Sequence, residues 1–347
     1  SVCRRHTCQD GSGLGGENTF LGRRRGNHCM DEIMPAVSVI MNCYNGAEYL
    51  REALDSVYSQ TFNDWEIVFW DNASTDQSLD IARSYGDRVR VFCNQATIPL
   101  GEARNSAMSE ARGEFIAFLD TDDAWYPRKL ERQLPLFDSR REVGLVHSDV
   151  VCVQQSDGTK TNHFARLGHA PRRGSVFGYL LRHNAIAMPS VVLRAEALCR
   201  QTEWFDPRFE IYPDFDLFRR IAYEWECDYI DEPLAMYRIH EKSSSSRNHL
   251  RAADELAQTI AKFRKIYPAL ATDFPQELAY LEAMVTYQRG KSLWRLGSGA
   301  AARREFAAQL GTPKVALAWL SSWLPYPLVE RIWSWWQGQG IRTQRDA

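Results

Sequence analysis

The chain contains 347 residues, of which 44% are hydrophobic and 25% are charged, and its formal net charge at pH 7 is -2. This composition is typical of a globular protein, and it excludes disordered, collagen-like and wholly membrane-embedded chains. A nearly neutral chain offers no electrostatic footprint for nucleic acid, so we expect no nucleic-acid partner. The length predicts about two domains, or one large α/β domain with an appendage.

The location of the protein is predicted from three features that the sequence lacks. Its eight cysteines are too few for a disulfide scaffold. The sequence contains no charge-free apolar run of about 18 residues, so no transmembrane helix is predicted. It also does not open with a secretory signal. We therefore expect a cytoplasmic protein that lies at most peripherally on the inner face of the membrane.

Residues 1–34 differ from the rest of the chain, because they are rich in Gly and Arg and have no apolar period. Residues 11–16 match G-x-G-x-x-G, but the polar stretch before them is no strand, so we reject a dinucleotide site there. The cysteines and histidines of this segment fit no structural zinc spacing. We interpret residues 1–34 as a disordered leader or as sequence before a misassigned start.

From Pro35 onward, short β-branched or aromatic runs alternate with segments of helical period. The predicted strands are 37–41, 66–70, 89–93 and 115–119. The predicted helices are 47–60, a helix capped by Ser74 or Thr75 that ends near Tyr85, 101–112 and 127–137. This alternation predicts an α/β fold with a doubly wound, mostly parallel, Rossmann-like sheet.

Polar side chains follow three of these strands. In a sheet of this kind, ligands bind beyond the carboxyl ends of the strands. The three clusters are Asn42 with Tyr44, Asp71 with Asn72, and Asp120 with Asp122 and Asp123. Acidic clusters with room for water suit Mg²⁺ or Mn²⁺ that carries phosphates.

Five segments in this order resemble family 2 glycosyltransferases, which are inverting enzymes of the GT-A fold. The resembling segments are Val37 to Asn45, Ser56-x-x-x-Gln60, Asp71-Asn-Ala-Ser-Thr-Asp76, Ala103-Arg-Asn105 and Gly113 to Asp123, which ends in the so-called DxD motif. The match before Ala103 is partial, because Pro99 stands where the family has Gly.

The resemblance implies a nucleoside-diphosphate sugar donor and a divalent metal, Mn²⁺ or Mg²⁺. It implies a nucleotide site formed by Asn42, Tyr44, Asn45, Asp71, Asn72, Arg104 and Asp120. It implies metal ligands with Asp122 first, together with Asp120, Asp123 and His240. Uridine-binding relatives place an Asp at the position of Asn72, whose amide both donates and accepts. UDP is therefore favoured, and dTDP and GDP stay open.

A second block, at 204–246, resembles the family around its catalytic base. Tyr212 to Leu217 is similar to Glu-Asp-x-Asp-Leu, in which the Asp after the Glu is the base, so the resemblance makes Asp214 the catalytic residue. Pro213 replaces the usual Glu. Tyr237-Arg-Ile-His240 resembles the family's Tyr-Arg-x-His. The alternative for Asp214 is that it only caps its helix. The alternative for His240 is a structural role.

Two regions are harder to interpret. Residues 144–203 contain a strand candidate at 144–149 and a His/Arg-rich loop at 163–173, and in this family such a segment shapes the acceptor side. Whether His147 and Asp149 lie near the site is not decided by spacing.

The carboxy-terminal region has a helical period over 250–310, and five of the chain's 11 tryptophans lie within 315–336. A broken, aromatic, amphipathic stretch favours a membrane surface. Packing on the catalytic domain or in a homodimer is the alternative. We therefore divide the chain into the leader, a GT-A catalytic domain at 35–248, and a helical region at 249–347. Within the catalytic domain, 35–140 is the nucleotide-sugar half and 141–248 is the acceptor half.

The leading hypothesis is a metal-dependent inverting glycosyltransferase that moves a sugar to a hydroxyl of a glycan or polyprenyl-linked acceptor in surface polysaccharide synthesis. A sugar-phosphate nucleotidyltransferase is the second, but residues 42–46 lack the Gly-rich, Arg-containing loop that this class needs. A non-catalytic carbohydrate-binding subunit is the third. Pro213 slightly favours that reading, and the retained acidic residues argue against it.

Overall fold

The structure is a computed structural model, and it describes residues 34–240 and 249–331. The contacts divide the chain after His240 into two units. The predicted leader at 1–34 lies almost wholly outside the described residues, as do Trp333, Trp335 and Trp336.

The first half of the first unit contains four parallel strands in the order β3-β2-β1-β4. These strands are β1 (Val37–Cys43), β2 (Trp65–Asp71), β3 (Val89–Cys93) and β4 (Phe115–Phe118). The helices between them are α1 (Ala47–Tyr58), α2 (Ser78–Arg83) and α3 (Leu100–Ser109). The predicted alternation is confirmed, and near-continuous burial of β1, β2 and β4 explains their unbroken apolar sequences.

The second half continues the same sheet through β4-β8-β6-β9-β5, with β7 paired to β6. Its strands are β5 (Ala124–Trp125), β6 (Val143–Gln154), β7 (Lys160–Asn162), β8 (Val192–Arg194) and β9 (Glu226–Ile239). Its helices are α4 (Lys129–Gln133), α5 (Pro135–Asp138), α6 (His163–Leu167), α7 (Phe177–Arg182), a 3-10 turn (Met188–Ser190), α8 (Ala195–Cys199) and α9 (Pro213–Glu224). Apart from the parallel pair β6–β9, these strands pair antiparallel. The sheet as a whole is therefore mixed.

Two apolar clusters cover the two faces of the sheet. Along β1, Val39 and Met41 belong to one cluster and Ile40 belongs to the other, because successive side chains of a strand point to opposite faces. The sheet is thus buried on both sides, and the polar residues of β1 and β2 lie within two positions of a strand end.

Two predicted helices differ from those observed. The second helix begins at Ser78, because Ser74 accepts the backbone N–H of Asn45 and does not cap the helix. The predicted helix at 127–137 is divided in two at Leu134, since Pro135 has no N–H with which to continue the hydrogen-bond ladder.

The second unit is helical, which confirms the prediction for residues 250–310. Its elements are α10 (His249–Ile266), α11 (Leu270–Asp273), α12 (Pro275–Arg295), α13 (Gly299–Phe306), a 3-10 turn (Ala307–Gln309) and α14 (Pro313–Ser321). The long helix α12 packs against α10, α13 and α14. Across the two described ranges, no helix has both the length and the apolar character needed to cross a bilayer.

Candidate active site

The loops that follow β1 and β2 are tied to each other. Asn45 has a positive φ of 52°, and its side-chain oxygen accepts the N–H of Thr75 at 2.8 Å. Its own N–H donates to Ser74 Oγ at 2.9 Å, and the N–H of Ala47 donates to Asp76 at 3.0 Å. Asn45 therefore holds the two loops together, with its amide oxygen already in use.

The same loops approach the acidic turn after β4. A Cβ atom at Gly46 would lie 2.7 Å from Oγ1 of Thr121, so a larger residue at this position would force the Thr121 side chain to shift. The three strand-end clusters of the sequence are thus brought to one edge of the sheet.

Two polar atoms near this edge are buried and unsatisfied. Asn42 Nδ2 and Asp71 Oδ1 have no hydrogen-bond partner among the described residues. Buried polar groups nearly always make a hydrogen bond, and a buried group that makes none destabilises the folded state. One donor and one acceptor are thus unsatisfied at the ends of adjacent strands, and Tyr44, close by in sequence, is 56% exposed.

Asn72 has a different environment, because its amide oxygen accepts two hydrogen bonds and its nitrogen donates one. Its oxygen accepts from Asn94 at 2.9 Å and from the N–H of Ile98 at 3.0 Å. Its nitrogen donates to the Ile98 carbonyl at 2.8 Å. In this arrangement Asn72 shapes the segment between β3 and α3, and Asp71 is the residue with an acceptor to spare.

Arg104 and Asn105 on α3 connect the acidic turn to the second half of the unit. Arg104 is buried, and its Nη2 donates to both carboxylate oxygens of Asp120 at 2.8 and 3.0 Å. Asn105 exchanges two hydrogen bonds with the backbone of Phe205, at 2.7 and 2.9 Å. The guanidinium of Arg104 also lies 5.4 Å from the centre of the Phe205 ring.

The end of β9 brings His240 and Arg238 to the acidic turn. His240 Nε2 lies 2.9 Å from Asp122 Oδ2. The N–H of Arg238 donates to Asp123 Oδ1 at 2.9 Å, and its Nε donates to the Asp122 carbonyl. Asp123 Oδ2 is buried, with no hydrogen-bond partner in the described part of the chain.

Burial and mutual repulsion raise the pKa values of two carboxyl groups in this turn. For Asp122, burial and then the charge of Asp120 raise the pKa. For Asp123, burial, Asp122 and Asp120 raise the pKa well above its ordinary value. A divalent cation would relieve this crowding, since opposite charge favours the ionised form.

The donor set at the turn fits Mn²⁺ or Mg²⁺ through Asp122 and His240, with the orphaned oxygen of Asp123 beside them. In the described ranges, however, no three His, Cys, Asp or Glu side chains converge closely enough to hold an ion. A cation bound here would need further oxygens from the diphosphate or from water.

Asp214 lies at the second position of α9, after Pro213, and stays partly accessible. Its carboxylate accepts the N–H of the next residue, Phe215, at 2.9 Å. The N-cap position belongs to Tyr212, so Asp214 is not the helix cap. Burial raises the pKa of Asp214, while the charges of Arg104 and Arg219 lower it.

Arg219 is the residue of this site that the sequence analysis missed. It is buried, and it donates to the carbonyls of Phe215 at 3.0 Å and His183 at 3.3 Å. Burial lowers its pKa to about 9. Its only sequence signal is its position on the same helix, five residues after Asp214, which is also typical of a solvated helix face.

His147 and Asp149 take structural positions on β6. Burial lowers the pKa of His147 to about 3, and its ring lies among those of Phe164 and Tyr229. The carboxylate of Asp149 accepts the N–H groups of Val150 and Phe164. Both residues shape the start of the acceptor half.

Comparison with known proteins places this geometry in a family. Residues 38–192 match the model of glycosyl transferase family 2. An uncharacterized glycosyltransferase of Nostoc sp. is 31% identical over 236 residues, which cover 65% of this chain and 70% of that protein. The chain belongs to glycosyl transferase family 2. TuaG of Bacillus subtilis, which is named as a teichuronic acid biosynthesis glycosyltransferase, is 31% identical over 69% of this chain and 92% of its own length.

Solved structures confirm the GT-A fold of this glycosyltransferase. The mannosyltransferase PcManGT of Pyrobaculum calidifontis, in complex with GDP-Man and Mn²⁺, superposes with a TM-score of 0.57 at 20% identity, covering 91% of this chain and 89% of its own. S. aureus TarS 1–349 in complex with UDP superposes with a TM-score of 0.51 at 18% identity, covering 82% and 90%. Likenesses at this identity concern the fold alone.

Proposed function

We propose that this glycosyltransferase transfers a sugar, with inversion, from a nucleoside-diphosphate sugar to a hydroxyl of a glycan or polyprenyl-linked acceptor. The observation that carries the proposal is the position of Arg104. It is paired with Asp120 in the acidic turn, and its charge also acts on Asp214. These two effects of Arg104 support the assignment of the diphosphate side and the candidate base to one site.

Asp214 is the general base of the proposed reaction. Its carboxylate takes the proton of the acceptor hydroxyl as that oxygen attacks the anomeric carbon. The bond from this carbon to the diphosphate oxygen breaks on the opposite face, so the configuration inverts in a single displacement. Burial raises the pKa of Asp214, so its ionised carboxylate is a stronger base than that of an exposed Asp.

The leaving diphosphate accumulates negative charge as its bond breaks. Mn²⁺ or Mg²⁺, when bound, would neutralise that charge. Asp122 and His240 would hold the ion, with Asp123 beside them, and the Asp120–Arg104 pair would orient the turn. PcManGT is in complex with Mn²⁺, which supports the same requirement here.

UDP is the proposed nucleotide. The free oxygen of Asp71 would accept the imide N–H of uracil, and the free Nδ2 of Asn42 would donate to a ring carbonyl. Tyr44 is exposed beside them and would stack on the base. TarS in complex with UDP supports this choice, while GDP-Man bound to PcManGT keeps guanine in the test.

A binding panel tests the donor site. Thermal shifts are measured with UDP, dTDP, GDP and CMP, each with and without Mn²⁺ or Mg²⁺. A ligand that binds only the folded state raises the Tm by mass action, so we expect the largest, metal-dependent shift with UDP. The absence of a shift with every nucleotide would contradict the proposal. A shift with GDP alone would replace uracil with guanine.

The carboxy-terminal unit supplies a proposed membrane surface on the cytoplasmic face of the bilayer. Residues 315–329 contain no charged side chain. Their outward side chains are large, apolar and exposed: Leu317, Leu320, Trp323, Leu324 and Leu328. The Arg303 guanidinium lies 4.0 Å from the Trp323 ring. An apolar, Trp-containing face with a neighbouring cation suits a membrane interface.

Co-sedimentation with anionic phospholipid vesicles tests this surface. Replacing Leu320 with Ser and Trp323 with Ala should lower vesicle binding several-fold, because less apolar area would enter the interface. Ile266→Ser, which alters an exposed apolar residue of α10, is the matched control. Equal binding by both proteins, or concentration-dependent dimerisation without vesicle binding, would contradict the membrane role.

A further inference from the structure

A cationic cluster lies in the acceptor half, apart from the residues assigned above. His169 Nε2 and His183 Nδ1 are 3.2 Å apart. The Tyr179 ring stacks on His183 with ring centres 4.7 Å apart, and the Arg172 guanidinium lies 5.5 Å from the centre of the Tyr179 ring. We call these four residues the histidine–arginine cluster.

The segment that carries the cluster has an unbalanced charge. Residues 158–195 contain six Lys and Arg residues and three His, and no Asp or Glu. Burial lowers the pKa of His183, and the neighbouring charges of His169, Arg182 and Arg172 lower it further. The positive charges of these neighbours thus act on the His183 ring, and an anion bound beside it would be stabilised.

A buried hydroxyl belongs to the same cluster. Tyr179 is only 8% exposed, and within the described ranges its hydroxyl has no hydrogen-bond partner. The charge of Arg172 acts on this phenol. A buried donor without an acceptor is unfavourable, so the Tyr179 hydroxyl is set to donate to a ligand that Arg172 also attracts.

The two histidines add a further donor. His169 Nδ1 lies 3.1 Å from the carbonyl of Ala170, and a carbonyl only accepts, so this nitrogen carries the hydrogen. His169 Nε2 then accepts from His183 Nδ1. These two bonds leave Nε2 of His183 unengaged, and a proton taken up there would make it a charged donor.

The cluster adjoins the helix that carries the candidate base. Arg219 donates to the carbonyl of His183 and to the carbonyl of Phe215, and its charge acts on Asp214. A group held by the cluster would therefore lie near α9.

We propose that the histidine–arginine cluster binds an oxyanion, a phosphate or a carboxylate, carried by the acceptor. Arg172 supplies a planar fork of N–H donors and Tyr179 a hydroxyl donor, and His183 becomes a third donor when it takes up a proton as the anion binds. That the anion belongs to an acceptor rests on the proposed transferase function. The binding of the anion itself does not.

Histidine-detected NMR of the full chain, saturated with UDP and Mg²⁺ to fill the donor site, tests the proposal. His169→Gln and His183→Gln assign the two ring signals. Inorganic phosphate or glucuronate should shift both signals saturably, and glucose should not. The tighter of the two anions identifies the source. No saturable shift with either anion would overturn the proposal.

Two conservative variants sharpen this experiment. Tyr179→Phe and Arg172→Gln should each weaken anion binding about tenfold, since a charge-assisted hydrogen bond is lost. Tyr126→Phe and Arg128→Gln, which alter exposed residues outside the cluster, should leave it unchanged. Unchanged anion affinity in both cluster variants would overturn the assignment of Tyr179 and Arg172 to the anion site. The UDP-dependent thermal shift of each variant checks that it is folded.

The same data separate the two proposals. The reporting rings lie in the cluster, so a failure of UDP to bind would contradict the transferase proposal and leave the histidine response intact. UDP binding without any histidine response would contradict the anion site alone.

Discussion

The nucleotide half and the acceptor half use their polar residues in different ways. In the nucleotide half, loop residues such as Asn45 and Asn72 bond to neighbouring backbone and fix the strand ends in place. In the acceptor half, cations of residues 158–195 gather without a carboxylate in the same segment. The polar residues of one half are held by hydrogen bonds, whereas the cations of the other half have no carboxylate within their own segment.

The two halves meet through α3. Asn105 bonds to the backbone of Phe205, 100 residues away in sequence, and Arg104 acts on both Asp120 and Asp214. We therefore expect large catalytic effects from substitutions of the charged residues of the site. We expect a smaller effect, on stability, from loss of the hydrogen bonds that join the two halves.

The largest effect should follow from Asp214→Asn. The amide cannot take a proton, so kcat should fall by about 10²–10⁴-fold, while the UDP-dependent rise in Tm should persist. Turnover and thermal shift are measured on the same preparation. Asp138→Asn, an exposed carboxylate of α5, is the control. Unchanged turnover in Asp214→Asn would remove it as the base.

Asp122→Asn should give the next largest effect. Loss of the carboxylate that touches His240 should weaken metal-dependent UDP binding by about 100-fold, as measured by calorimetry with and without Mn²⁺. Binding in the absence of metal should change little. The exposed turn residue Asp157, replaced with Asn, controls for the loss of a negative charge. Equal metal dependence in Asp122→Asn and the parent would refute this ligand.

The pH dependence of activity should show whether the charge of Arg104 lowers the pKa of Asp214. Burial raises the pKa of Asp214 above its ordinary 3.8, and the base must be ionised. Activity should therefore fall as the pH is lowered through that raised pKa. Arg104→Gln removes a charge that lowers the Asp214 pKa, so the acid limb of kcat should move to higher pH. A limb that stays in place, or moves to lower pH, would show that Arg104 does not act on the base.

Asn105→Ala should give the smallest effect, and it concerns stability. Loss of both hydrogen bonds to Phe205 should lower the free energy of unfolding by about 1–3 kcal/mol, measured by urea denaturation. Asn63→Ala, which loses only a 3.4 Å local bond, should change it far less. Equal losses in the two variants would mean that the α3 contact does not join the halves.

Much of the nucleotide half could be predicted from sequence, because its strands are buried on both faces and its loops carry local turn chemistry. Val89–Cys93 was predicted to the residue, and the order of strand and helix was confirmed. The helix start at Ser78 could not be predicted, because it depends on a bond between Ser74 and Asn45, 29 residues apart.

The site itself was less accessible to sequence reasoning. The engagement of Asn72 with Ile98 and the burial of Arg219 depend on contacts between separate segments. A sequence pattern gives residue types and not partners, so it could not show which of Asp71 and Asn72 keeps a free acceptor. Trp319 and Trp323 are described in the predicted Trp-rich stretch, whereas its remaining three tryptophans lie outside the described residues.

The stereochemistry of transfer tests the central claim most directly. Proton NMR can follow the anomeric signal of the first product formed from a panel of nucleoside-diphosphate sugars, with water or a simple alcohol as acceptor. A single displacement assisted by Asp214 predicts a product of opposite anomeric configuration to the donor from the first turnover. A first product with the donor's configuration would contradict the mechanism.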